Sequence, residues 1–358
     1  MILSCKKPIW ESDMNSLPII ERAEVRPAWL AAHEEPVIEP ELPIIDPHHH
    51  LSDSHWGGYM EGELLRDLGS GHRILSTVFV QVGFGYRKEG PEPLRPVGET
   101  EAVATIARAT DALPHDIRIG TRICAGIVGH ADLSRGAAVD EVLAAHMEAG
   151  QGRFRGIRCA AAAHARFRYG VMPPPPLHLY EQPGFRAGYA RLANWGLSFD
   201  SWAYHTQLSE LYALARDFPA IPVVVDHIGV PLGVGPYAHQ RKQVFDEWHG
   251  QMAALAALPH VFVKLGGLGM SVFGFDFHLR HQPPNSLELA MAWGPYIRAC
   301  IDLFGPERCM FESNFPVDKG TCSYPVLWNA FKRIATGMSP HEKALLFSGT
   351  AARVYRLE

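Results

Sequence analysis

The chain has 358 residues, 33 basic against 38 acidic side chains and a net charge of −5. That balance excludes a generic polyanion binder, which carries a basic excess or stripe, and 47% hydrophobic against 20% charged residues exclude a chain disordered throughout. Six scattered cysteines (Cys5, Cys124, Cys159, Cys300, Cys309, Cys322) form no CxxC pair, the N-terminus lacks a signal-peptide core, and no apolar run approaches ~20 residues, so the expectation is a cytoplasmic protein without a zinc knuckle or membrane span.

Residues 1–40 are mixed and proline-dotted, and are expected to form an extension packed over the body. From 41 to 358 a single domain is expected, built on a repeating pattern. A short apolar run is followed by a polar or glycine-rich stretch and then a helical stretch. The runs are Ile44–His48, Ser76–Val82, Ile123–Val128, Phe154–Arg158, Gly196–Asp200, Ile221–His227, Val261–Leu265 and Cys309–Asn314. Each is short, β-branched or aromatic and bounded by Gly or Pro, as buried parallel strands are. Helical spacing of apolar residues marks Glu101–Arg108, Ala138–Ala149, Gln207–Phe218, Val244–Ala257 and Tyr296–Phe304. Eight strand–helix units in succession predict an α/β fold of the (β/α)8 TIM-barrel type, with an N-terminal extension and lid insertions.

Chemistry in such barrels sits at the C-terminal ends of the strands. Polar residues fall there: His48 and His50 on run one, Gln81 on two, Arg158 on four, Asp200 and Trp202 on five, His227 on six, Lys264 on seven and Asn314 on eight. The sharpest motif is Asp46-Pro47-His48-His49-His50. A strand alternates its faces, so His48 and His50 point one way and His49 the other. Two inward imidazoles can share a metal or bind one oxyanion. By the same parity, Asp226 is expected to face the helix layer, and Glu312 to share the inward face of Asn314 one layer deeper. Glu312 is then either a functional carboxylate or a buried partner of Lys264 or Arg158, while Asp318 could fold back over the mouth. Two insertions read as lids: 166–184, with Pro173–Pro176, and 266–284, with Met270, Phe273, Phe275, Phe277, His278, Arg280 and His281. Their aromatics, Arg and His suit a planar substrate bearing a carboxylate or phenolate, and a subunit contact is the alternative. A P-loop, a strand-borne GxGxxG and a GxSxG elbow are missing from the sequence, which argues against nucleotide, nicotinamide and serine-hydrolase chemistry.

The Asp-x-His-x-His strand, Val78-Phe79-Val80-Gln81, Gly156-Ile157-Arg158, Asp226-His227-Ile228-Gly229-Val230-Pro231 and Lys264-Leu265-Gly266-Gly267, in that order, resemble the amidohydrolase-2 branch of the amidohydrolase superfamily over about residues 40–358. The chain is most similar to the lactonase-like members, such as 2-pyrone-4,6-dicarboxylate and sugar lactonases. Aminocarboxymuconate-semialdehyde decarboxylase is more distant. The resemblance implies a hydrolase acting on a lactone or a cyclic or aromatic carboxylate ester. His48, His50, His227 and Asn314 would do the chemistry, while Gln81, Arg158, Trp202 and Lys264 hold substrate. It also implies one divalent metal, Zn²⁺ or Mn²⁺, on His48 and His50 with a carboxylate from Glu312 or Asp200, or else imidazoles acting without metal. At the eighth strand the family's Asp is Asn314 here, and an amide cannot take a proton at neutral pH. A non-oxidative decarboxylase or C–C hydrolase is therefore kept as an alternative, as is a binding protein that lost its base. The expected partner is a small carboxylate, not nucleic acid or a membrane, and self-association is left open.

Overall fold

The computed structural model describes residues 17–55, 57–113, 120–170 and 174–357; Cys5, Pro173 and the first sixteen residues of the extension lie outside them. Eight parallel strands run in chain order around a barrel: β1 (Ile44–His49), β2 (Ile74–Val80), β3 (Arg122–Gly129), β4 (Phe154–Ala160), β5 (Ser198–Trp202), β6 (Val223–Val225), β7 (Val261–Leu265) and β8 (Cys309–Phe311). Each is followed by a helix: α1 (Glu61–Leu68), α2 (Val97–Asp111), α3 (Val139–Gly150), α4 (Pro183–Tyr189), α5 (Leu208–Asp217), α6 (Arg241–Ala256), α7 (Ser286–Phe304) and α8 (Tyr324–Ile334). This is the (β/α)8 barrel that the repeating pattern predicts.

The seam between β8 and β1 is closed just beyond β8. His49 bridges to Phe315, the His50 amide donates to the Phe315 carbonyl at 2.8 Å, and the Asn314 amide donates to the His48 carbonyl at 2.9 Å. Asp46 locks the same seam from below, accepting from the Ser313 amide at 2.9 Å and from the Tyr324 hydroxyl at 3.0 Å. The large apolar core lies between strands and helices. A second cluster fills the lower barrel interior, where Ile45, Val78, Val80, Val128, Val224 and Met310 meet Ala351, Val354 and Tyr355 of the C-terminal segment.

Two runs are shorter as strands than their sequence implies. β6 ends at Val225, and Asp226–Gly229 form a helical turn in which His227 (φ +53°) and Ile228 (φ +52°) are left-handed. β8 ends at Phe311, and Asn314 is also left-handed (φ +53°). Left-handed backbone at non-glycine residues is costly and is retained where surroundings enforce it. Here the Trp248 indole donates to the Ile228 carbonyl at 2.6 Å, and the His227 amide donates to Glu312 at 3.2 Å.

At the barrel mouth, Ile19–Ile20 pair in parallel with Arg168–Tyr169 of the β4 loop. The second insertion packs differently from its reading as a lid. Phe273, Phe275 and Phe277 stack in series, and the last two lie edge-on to Tyr296 and Trp293 of α7. Their rings pack on the helix layer, while Met270 of the same insertion lines a cavity at the mouth. Among the described residues, no helix is long and apolar enough to cross a membrane.

Candidate active site

Under the mouth the strand ends deliver a dense set of buried ionisable groups. β1 supplies His48 and His50, whose rings meet edge-to-face at 4.9 Å between centroids. His49 points out of the barrel, where its Nε2 lies 2.8 Å from the Thr77 hydroxyl. The turn after β6 brings His227 to 4.6 Å from His48, and Glu312, just past β8, reaches between the two. Its Oε1 accepts from His227 Nδ1 at 2.7 Å, and its Oε2 lies 2.8 Å from His48 Nδ1. Glycines make that approach possible. A Cβ on Gly267 would lie 2.5 Å from the His227 ring, and one on Gly266 would lie 2.4 Å from Glu312 Cγ. This is the physical content of the Lys-Leu-Gly-Gly motif.

A layer below, Lys264 is fully buried and donates to Asp200 at 2.7 Å. Its ammonium also lies 3.1 Å from Asp226 and 3.2 Å from His48 Nδ1. Asp200 accepts a second bond, from the Tyr355 hydroxyl at 2.6 Å. Asp226 therefore points into the barrel, 3.6 Å from His48 and 4.0 Å from Arg158. Asp226 keeps the inward face of Val224; the outward orientation expected from the sequence counts from His227, which reaches the site only through the left-handed turn after Val225.

Burial opposes every charge here, and the partners decide which survive. Burial, with the Lys264 ammonium beside it, holds the His48 imidazole well below its usual range. Burial and Arg158 do the same to His50. Burial would raise Glu312, but the His227 and His48 imidazoles outweigh it and bring its carboxyl to about 2. Lys264 is held above its usual value, because Asp200 and Asp226 outweigh its desolvation.

Two cavities that share part of their lining open above this layer. The inner one, about 40 Å³, is lined by His50, Arg158, His227 and Asn314 along with Trp202 and Met270. The outer one, about 730 Å³, includes Gln81, Tyr86, His130, Arg168 and Pro174–Pro176. Arg22, Val82, Arg158, Tyr169 and Trp202 border both. Arg158 is held by the Gln81 carbonyl and lies 3.4 Å from His48 Nε2. The Trp202 indole N–H is buried with no hydrogen-bond partner among the described residues. Asn314 donates to Asp318 at 3.0 Å, and the other oxygen of Asp318 accepts from the Gly269 amide at 3.0 Å.

The sequence-derived candidates thus fall into two groups. His50, Arg158, Trp202, His227 and Asn314 face the inner cavity and Gln81 the outer one. Lys264, Asp200 and Glu312 form the charged floor with His48. Sequence reasoning missed Asp226, set aside by parity, as well as Tyr355 and Arg22, which no motif carries.

Inside the barrel, the imidazole and carboxylate donors that converge are His48, His227 and Glu312, all within 4.8 Å of one another. Neither His50, whose Nδ1 lies 2.7 Å from the Val80 carbonyl, nor Asp200, occupied by Lys264, belongs to that set. Two imidazoles and one Glu are the donor set of a catalytic zinc. Glu312 Oε2 has His48 beside it but lacks hydrogen-bond geometry to it. A spare buried lone pair of that kind is what a cation takes, so the residues fit a divalent metal.

Comparison with known proteins gives consistent relatives. The family model described as Amidohydrolase matches residues 45–357. The protein y4mH of Sinorhizobium fredii is 33% identical over 338 residues, covering 88% of this chain and 99% of its own length. An L-fucono-1,5-lactonase of Burkholderia ambifaria is 28% identical over 284 residues, covering 76% of this chain and 87% of its own. A crystal structure of an amidohydrolase from Burkholderia multivorans with bound zinc shares the fold, with a TM-score of 0.67 at 24% identity over 88% of this chain and 99% of that one.

Proposed function

The chain belongs to the amidohydrolase family of enzymes, and from that premise we propose that it hydrolyses a lactone or a cyclic carboxylate ester. The observation that carries the reading is the Glu312–His227 pair beneath a cavity lined by Arg158, Trp202 and Asn314. With Nδ1–H donated to Glu312, the other ring nitrogen of His227, Nε2, is left to take a proton from water. Glu312 orients the ring and stabilises the imidazolium that forms, as the third member of a hydrolytic triad does. The activated water adds to the carbonyl carbon. Charge collecting on the carbonyl oxygen is met by N–H groups of Arg158 and Trp202. Collapse breaks the ring C–O bond, and the proton on His227 passes to the leaving alkoxide, giving a hydroxy acid. This assignment gives the chain a base although Asn314 cannot serve as one.

As an alternative to that base, His48, His227 and Glu312 would hold a divalent metal in place of the Glu312–His227 hydrogen bond, and the metal would supply Lewis-acid polarisation of a carbonyl oxygen. The L-fucono-1,5-lactonase relative supports lactone chemistry, and the wide outer cavity supports a ring with substituents. Five buried cysteines, all free, support a reducing compartment such as the cytoplasm. A second reading, non-oxidative decarboxylation, is favoured by Asn314 alone, since loss of CO₂ does not require an attacking water.

The test is a screen of lactones, esters and aromatic acids, with hydroxy-acid and CO₂ formation both followed. Metal content is measured before and after chelation. We expect ring opening without CO₂ release; CO₂ release from an acid with every lactone inert would overturn the hydrolase. About one metal ion per chain whose removal abolishes turnover would assign His48, His227 and Glu312 to the metal, and full turnover in metal-stripped protein would leave the His227–Glu312 pair to act alone.

A further inference from the structure

We infer that Tyr169 is a third substrate-binding donor beside Arg158 and Trp202, and that the three together grip one oxygen-bearing end of the substrate where the inner and outer cavities share their lining. The inference deepens the hydrolase reading and rests on it for the reaction, though not for binding.

Arg158, Tyr169 and Trp202 border both cavities. Each carries a buried polar atom with no hydrogen-bond partner among the described residues: Arg158 Nε, the Tyr169 hydroxyl and Trp202 Nε1. Buried polar groups are nearly always paired, and one left unpaired is costly. Three of them on one wall point to a ligand as the partner. The guanidinium and the indole can only donate. Burial raises the Tyr169 hydroxyl above its usual range, so it keeps its proton and donates as well. Ser271 lies near enough to temper that rise, but its own proton goes to the Glu21 carbonyl at 2.5 Å, and the two hydroxyls are not in hydrogen-bond geometry. A wall of donors selects an acceptor, which is a carbonyl or carboxylate oxygen.

Other contacts hold the three side chains without using these atoms. Arg158 is fixed by the Gln81 carbonyl and lies 3.4 Å from His48 Nε2. The Tyr169 backbone pairs with Ile20, and its ring lies edge-on to Trp202 at 6.2 Å between centroids. Trp202 ends β5, and its carbonyl accepts from the Ala161 and Ala162 amides at 2.9 and 3.1 Å. Donors fixed before the ligand arrives need no reorganisation when charge develops on it. At about 40 Å³ the inner cavity has room for little more than the volume of one water. It therefore takes an ester or carboxyl end, and a ring stays in the outer cavity. His227 lines the same small space, so an acyl oxygen held by the donors keeps its carbon within that histidine's reach.

Tyr169→Phe removes the hydroxyl and keeps the ring, and two measurements on it test the inference. In the first, urea unfolding is compared with wild type without ligand. A hydroxyl that waits for a ligand lends nothing to the free fold, so the midpoint should hold or rise. A lower midpoint would show the hydroxyl bonded within the protein and would overturn the inference. In the second, benzoate is titrated calorimetrically into both proteins, and kcat/KM is measured on L-fucono-1,5-lactone or, where that is inert, on the screened lactone that wild type opens fastest. Tyr169→Phe should bind benzoate at least tenfold more weakly. Its kcat/KM should be at least tenfold lower, mainly through kcat, because charge on the carbonyl oxygen is greatest in the transition state. If wild type opens no lactone of the screen but benzoate binding falls with the hydroxyl, the hydrolase reading fails and this one stands. Benzoate that binds both proteins alike or does not bind wild type, or turnover unmoved in an active enzyme, means that Tyr169 has no such role.

Discussion

Glu312 stands between His48 and His227 and is the residue on which the proposed chemistry turns. Glu312→Gln keeps the shape and removes the charge that steadies an imidazolium. Steady-state kinetics should show kcat down about 10²-fold, the scale of a disabled acid–base pair, with KM within about threefold; an unchanged kcat would show that His227 needs no anion behind it. Asn314 is set by a different partner. Its amide donates to Asp318, whose carboxyl burial raises to about 7 against the opposing Gly269 amide. Asn314→Asp places two carboxyls in contact, where one must be protonated or both repel. Activity should fall at least tenfold, and Asp318→Asn added to it should restore much of the loss by reversing donor and acceptor. A double variant no better than the single one would dissociate the two residues. His49 is buried on the outer face of β1, so His49→Ala should lower the melting temperature by several degrees through the void it leaves while kcat stays within a few-fold.

At the scale of elements, the loop after β2 shows how helix and strand are registered. Glu99 of α2 accepts three successive amides, from Val82, Gly83 and Phe84, at 2.9, 2.8 and 2.8 Å. Burial nonetheless raises its carboxyl from 4.5 to about 7, the amides opposing. Between those values the folded chain keeps a proton that the unfolded chain has released. The stability it lends is complete below about pH 4.5 and is lost as the pH rises through 7. Glu99→Gln has no such proton, so its urea midpoint relative to wild type should rise between pH 5 and 7.5; a pH-independent difference would mean that Glu99 stays ionised throughout. Most strands and five of the helices were legible from apolar runs, because a strand buried on both faces needs a continuous run. α7 begins ten residues before its expected start, since Asn285 caps it and Pro295 is tolerated inside it. α1, α4 and α8 were not read as helices at all. The site was legible where strand parity holds, as at His48, His49 and His50. It was lost at Asp226, whose face was counted from His227 in the turn beyond the strand, and where a partner comes from a remote segment, as with Arg22 and Tyr355.

For the whole molecule, the barrel floor is finished by its last residues. Tyr355 donates to Asp200 and lies 5.4 Å from Lys264 over its ring. Tyr355→Phe should cost about 1.5–3 kcal/mol of stability, as loss of a hydrogen bond to a charged group does, measured by urea unfolding; a cost near zero would show that Lys264 alone satisfies Asp200. The seam that joins His48, His49 and His50 to the stretch around Phe315 has a consequence in time. The two edges are about 265 residues apart, and a ribosome adding about 5–20 residues per second takes roughly 13–50 s to cover that interval. For that long the nascent chain holds three histidines and an aspartate meant for the interior with no edge to receive them. Synthesis thus leaves the first strand waiting for the last, and it is over this interval that a holdase chaperone would find the chain.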